Sequence, residues 1–159
     1  MHLDDELRAY LIRLLDWREA HVNLEIALKG FPPELRGKTP SGAPHSAWQL
    51  LEHLRIAQHD ILDFCVNPAY KEKHWPDDYW PPPAPPTSTA WDEAIEAYDK
   101  DLIALRNLVR HQADLLVTIP HGNGQTYLRE ILLVADHNAY HVGQIVLVRH
   151  LLGIWPAKE

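Results

Sequence analysis

One connection decides what this chain can fold into. Between two strongly periodic segments lies a stretch, residues 67–87, that contains Trp75-Pro76-Asp77-Asp78-Tyr79-Trp80-Pro81-Pro82-Pro83-Ala84-Pro85-Pro86. Proline has no N–H to donate and fixes its own φ, so such a stretch is neither helix interior nor central strand. At about 3.3 Å per extended residue it is long enough to run back along a helix of about 30 Å. Loops that pair neighbouring helices in a bundle usually take about 2–8 residues. The stretch therefore reads as a crossover, and the helices on either side of it run parallel. Its composition fits a stiff strap whose aromatic rings pack on helix surfaces. A substrate-pocket wall, or a polyproline segment read by a partner, are the sharper alternatives.

Four helical runs surround this crossover, and no strand pattern competes with them. The first covers about residues 3–29, where Leu3, Leu7, Tyr10, Leu11, Leu14, Leu15, Val22, Ile26 and Ala27 recur at three- and four-residue steps. That spacing is an apolar stripe. Gly30 and Pro32-Pro33 end the run. The second covers about residues 46–66, with Ser46 as N-cap and a stripe of Leu50, Leu54, Ala57, Ile61 and Phe64 or Cys65. The third covers about residues 89–112, capped by Ser88 or Thr89, with Ala94, Ile95, Tyr98, Leu102, Leu105 and Leu108-Val109 as its stripe. The fourth covers about residues 126–152, from Thr126 to a Gly153 C-cap. Leu115 to Ile119 suggests a short extended piece packed on the helices. The expected fold is an all-α four-helix bundle in one domain, residues 1–159, with a long crossover between the second and third helices.

The bulk numbers narrow the function. The chain has 159 residues, 46% hydrophobic and 23% charged, as in ordinary soluble globular proteins. A formal net charge of −7 without a Lys/Arg block argues against a nucleic-acid partner, because phosphate binding needs a basic footprint. Cys65 is the only cysteine, so no internal disulfide forms, which fits a reducing compartment. The start, Met1-His2-Leu3-Asp4-Asp5-Glu6, is not the basic beginning of a signal peptide. No apolar stretch is read as long enough to span a bilayer. A cytoplasmic location and no membrane partner are expected.

The fourth run carries the chemistry. At about 100° per residue, Glu130, His137, His141 and Gln144 share one narrow stripe of a helix otherwise rich in Leu128, Ile131, Leu132, Ala135, Ile145 and Leu152. Such groups are unfavourable to bury unless they are paired or bind a metal. His137 and His141, four residues apart, can grip one divalent ion. His53 sits near the apolar face of the second run and is the candidate third ligand; as a lone histidine it reads more readily as a packed core residue than as a ligand. Three protein ligands leave coordination positions open, as in catalytic sites. Asp136 points about 100° away from His137 and is expected at the surface or behind a ligand. Gly143 in mid-helix costs about 1 kcal/mol relative to Ala, which suggests close backbone packing or room beside a site. His59 is expected to be exposed. His21 and His121 are expected to be ordinary residues, and Cys65 a small buried hydrophobe rather than a nucleophile.

The segments Trp48-Gln49-Leu50-Leu51-Glu52-His53-Leu54 and Asp136-His137-Asn138-Ala139-Tyr140-His141-Val142-Gly143-Gln144-Ile145 together resemble the DinB/YfiT-like superfamily. The resemblance extends over nearly the whole chain. It implies an up-down-down-up bundle in which one histidine of the second helix and two of the fourth hold zinc or nickel. Those roles fall on His53, His137 and His141. It also implies metal-dependent transfer or isomerisation with a low-molecular-weight thiol as a cofactor, a small-molecule substrate, and a homodimer. A divalent cation favours thiolate over thiol, and activation of water for hydrolysis is the alternative. Glu130 would then be a base or a partner behind the ligands, and Gln144 would orient His141 or line the pocket. The rival reading is a non-catalytic, stress-associated metal-binding or interaction protein.

Overall fold

The computed structural model describes residues 3–156, except for the side chain of Leu3. The stripe position Leu3 therefore lies, as a side chain, outside what is described. Among the described residues there are five α-helices: α1 (Leu3–Leu14), α2 (Leu24–Leu28), α3 (Ala47–Val66), α4 (Ala90–His111) and α5 (Tyr127–Leu151). A 3-10 turn at Pro33–Leu35 follows α2, and no strand occurs among the described residues.

The first helical run is broken in two. Its apolar phase continues through Val22, but α1 ends at Leu14, residues 15–23 are non-helical, and a new helix starts behind Asn23. Asn23 takes extended backbone and its Oδ1 accepts from Ile26 N, capping α2, while its Nδ2 donates to Asp16 Oδ1 at 2.7 Å. A side chain that bonds the backbone locally competes with helix continuation. The resulting elbow lets α1 and α2 pack on different parts of α4 and α5. It also leaves Leu7 and Tyr10 exposed, against expectation, while Leu11 and Leu15 reach the core. Gly30, at φ 62°, ends α2 in the left-handed region that favours glycine.

The other helices begin and end close to where their sequence predicts. Ser46 and Gln49 form a reciprocal capping box at the start of α3. Thr126 accepts from Arg129 N and opens α5. At the start of α4 it is Thr87, not Ser88 or Thr89, whose hydroxyl accepts from Ala90 N, at 3.1 Å. Gly153 follows α5 at φ 72°, with Ile154 N donating back to Arg149 O. Leu115 and Ile119 are buried, but the piece expected to be extended is a turn at residues 115–116, with Leu116 and Val117 exposed and a single bridge from Thr118 to Thr126.

Helix α3 packs along both α4 and α5, and their shared core includes Leu54, Leu105, Val109, Ile131 and Ile145. Burying one such aliphatic side chain stabilises the fold by roughly 1.5–3 kcal/mol. Leu132 stays exposed. A Cβ on the exposed Gly143 would meet nothing within 4 Å, so no close approach within the chain explains that glycine. Helix α5 is long and apolar enough to pass for a membrane span by composition, contrary to the sequence reading. Here it buries Glu130, Asn138, His141 and Arg149 against the rest of the chain. Arg149 is 1% exposed and donates to the carbonyls of Ala27, Lys29 and Ile154, which tie the end of α2 and the chain beyond α5 to one guanidinium.

The crossover runs back over α3. Tyr70 and Tyr79 both donate their hydroxyls to Asp60, Gln49 donates to Pro81 O, and the Ser46 hydroxyl donates to Pro83 O. These contacts descend α3 from its last turns to its N-cap. Ala84 lies against Gly37, where an added Cβ would come within 2.7 Å of the Ala84 backbone.

Candidate metal centre

Two helices bring the histidines together. His53 lies on α3; His137 and His141 lie one turn apart on α5. One ligand-capable nitrogen from each ring falls within 4.8 Å of the others. His53 is 2% exposed and His141 7%, whereas His137 is half-buried.

The hydrogen bonds decide which nitrogens face inward. His53 Nδ1 donates to Tyr79 O at 3.1 Å, and His141 Nδ1 donates to Gln144 Oε1 at 2.7 Å. Each ring, when neutral, then presents an Nε2 lone pair. His137 Nε2 lies 3.1 Å from His53 Nε2. Two nitrogens bound to one tetrahedral zinc at about 2.0–2.1 Å sit roughly 3.4 Å apart. The donor set and its spacing therefore fit a divalent ion, and outer partners that fix ring orientation are typical of such sites.

Electrostatics keep the rings neutral. Burial is the main cause that lowers the pKa of His53 to about 4, with His141 and His45 adding repulsion. Burial likewise lowers His137 to about 4, helped by His141 and His53. His141 is also lowered by burial. Near neutral pH the rings carry no charge to repel a cation, which would take the place of the proton shared between His137 Nε2 and His53 Nε2.

Aromatic rings close one side. Trp80 stacks on His53 at 3.9 Å and 4°, and on His45 at 3.9 Å and 14°, so it is sandwiched between two imidazoles. Trp75 and Tyr79 meet His53 edge-on. The crossover is thus a strap with packed aromatics and also the wall of this site. Its rings carry no periodicity, so the sequence did not assign them a direction. Asp60, which anchors Tyr79, was legible in principle: seven residues after His53, it shares that histidine's face of α3.

Other candidates lie elsewhere. Glu130 is 2% exposed, yet it stands about 10 Å along the helix axis from His137 and its carboxylate pairs with Arg129 at 2.6 Å. It lines a polar cavity with Asp60, Tyr70 and His121. Gln144 Oε1 accepts from His141 Nδ1. Asp136 is exposed, and exposed His59 pairs with Asp101. His21 is exposed, and exposed His121 bonds Phe64 O through Nε2. Burial pushes the Cys65 thiol up to about 12, so it is no ready nucleophile.

The sequence profile of the DinB superfamily matches residues 16–145, which include α2 to α4, all three histidines and most of α5. The chain belongs to the DinB superfamily. No curated protein matches it, and no solved structure does. This DinB-superfamily chain carries its histidine cluster where both helices and the crossover converge.

Proposed function

We propose that this DinB-superfamily protein binds one zinc or nickel ion through His53, His137 and His141 and is an enzyme of thiol-transferase or hydrolase type. The convergence of three neutral imidazoles within 4.8 Å carries the reading. A divalent ion held there would act as a Lewis acid, favouring a thiolate or a deprotonated water at neutral pH. The chain's own part is to hold the ligands: Tyr79 O and Gln144 fix two tautomers, and Trp80 shields one side from water. Glu130, some two turns away, would act on a substrate long enough to reach the polar cavity.

The reading includes one domain over residues 1–159 and an up-down-down-up bundle. The return of the crossover to Ser46 supports parallel α3 and α4. It also includes a homodimer, a cytoplasmic location, a small-molecule substrate with a low-molecular-weight thiol, and neither nucleic acid nor membrane as partner. The second reading, a non-catalytic metal-binding protein, is favoured by the burial of His53 and His141 under the crossover.

Elemental analysis of tag-free protein beside His137→Ala/His141→Ala tests the ligand set. About one ion per chain is expected in the wild type and almost none in the variant. Stoichiometric metal in the double variant would sink the assignment. A thiol-dependent substrate screen on the loaded protein then separates enzyme from binder.

A further inference from the structure

A cavity of about 250 Å³ lies where the α1–α2 elbow meets α4 and α5. Leu15, Leu24, Ala135 and Val142 form apolar walls, and exposed Ala20 and His21 form part of its lining. None of the three clustered histidines lines it. For scale, an apolar cavity of about 150 Å³ takes up benzene.

Two polar groups in its lining have no partner. Trp17 Nε1 is a buried donor without an acceptor, and Asn138 Oδ1 is a buried acceptor without a donor. The asparagine is 5% exposed. Its amide orientation is fixed by its neighbours. Gln58 Nε2 donates to Tyr98 O at 2.8 Å, so Gln58 Oε1 faces Asn138 and requires its Nδ2. The same Nδ2 lies 2.9 Å from the Tyr98 hydroxyl. Turning the amide would break the bond to Gln58, so Oδ1 keeps its place beside the His137 ring, without a close hydrogen bond of its own. Buried polar atoms left unpaired are unfavourable, and a ligand that pairs them gains by it.

We propose that this cavity binds a small uncharged molecule built from one apolar ring and one hydroxyl group. A hydroxyl is the smallest group that both donates, here to Asn138 Oδ1, and accepts, here from Trp17 Nε1. The ring takes the apolar walls. A carboxylate is excluded because it would set a negative charge against Asn138 Oδ1 and Asp16, which also lines the cavity.

The test is titration of ¹⁵N-labelled protein with phenol, following the Trp17 indole N–H resonance, assigned through Trp17→Phe. A saturable shift is expected, with toluene binding about five- to tenfold more weakly. Trp17→Phe, followed through the backbone amide resonances of Ala139 and Val142, is expected to weaken phenol by a similar factor and to leave toluene unchanged. Ala139→Phe, which fills the half-buried rim, is expected to abolish binding of both while keeping the wild-type circular dichroism. The His137→Ala/His141→Ala protein is expected to keep phenol binding, so failure of the metal reading leaves this one standing. No saturable shift, equal affinity for phenol and toluene, or loss of binding in the double histidine variant would each overturn the proposal. If Ala139→Phe fails to fold, Ala139→Leu serves in its place with the same expected direction.

Discussion

His137 and Asn138 are neighbours on α5, yet they belong to two buried polar clusters of opposite character. The histidine cluster is built from titratable rings whose ligand nitrogens converge, and His141 disfavours a proton on both His53 and His137. The cluster of Gln58, Tyr98 and Asn138 is built from amides and a phenol that lock α3, α4 and α5 with directed bonds. Burial and nearby acidic groups push the Tyr98 hydroxyl further up, so it stays neutral. The first cluster is poor in internal bonds and favourable toward a cation. The second spends most of its bonds inside the protein. Adjacent positions on one helix thus serve ligand capture and helix registration, and the Asn138 amide, which raises the basicity of His137, is where the two clusters touch.

Acid should separate the two clusters most. The native pKa values of His53 and His137 lie near 4, below the unfolded value of 6.5. Below pH 6.5 the unfolded chain takes up protons that the metal-free native state refuses. Stability is therefore full above pH 6.5 and falls as the pH drops toward 4, on the order of 3 kcal/mol for each of these rings. Chemical denaturation across that window should show the loss, and His137→Ala/His141→Ala should remove about half of it, the His53 part remaining. Metal acts next: zinc or nickel at about a thousandfold over Kd should add about 4 kcal/mol to the wild type and nothing to the double variant, read by thermal unfolding.

Asn138→Leu attacks the other cluster. It leaves Gln58 Oε1 buried without a donor and should cost about 2 kcal/mol, equally with and without metal. A cost that grew on adding metal would show that the clusters are coupled after all. The smallest expected effect is that of Gln144→Leu, which removes the partner of His141 Nδ1. Metal affinity should fall about tenfold, in a competition titration against a chelating dye, with little change in the stability of the metal-free protein.

The sequence carried the helices and the three histidines because both depend on helical phase. Phase gives the direction of a side chain but not its reach. Glu130 shares the stripe of His137 and His141, yet two turns of rise carry its carboxylate to Arg129 instead. Phase also continued through Val22, whereas the helix ends at Leu14 and restarts behind Asn23, whose local capping bond no periodicity records. Trp80 and Tyr79 were invisible as site residues because a proline-rich segment has no period from which to read a face. Gln58 and Asn138 look like ordinary helix positions until the partner helix is known.

Tyr79 O lies 26 residues from the His53 it holds, and His137 lies 84 residues from it. The site therefore cannot assemble locally. It needs α5 docked on α3, and it needs the crossover laid down over both. Loop closure on that scale is slow compared with helix formation. Tight metal uptake in a refolding experiment thus becomes a timer for the last long-range step, with earlier helical states binding the ion only loosely.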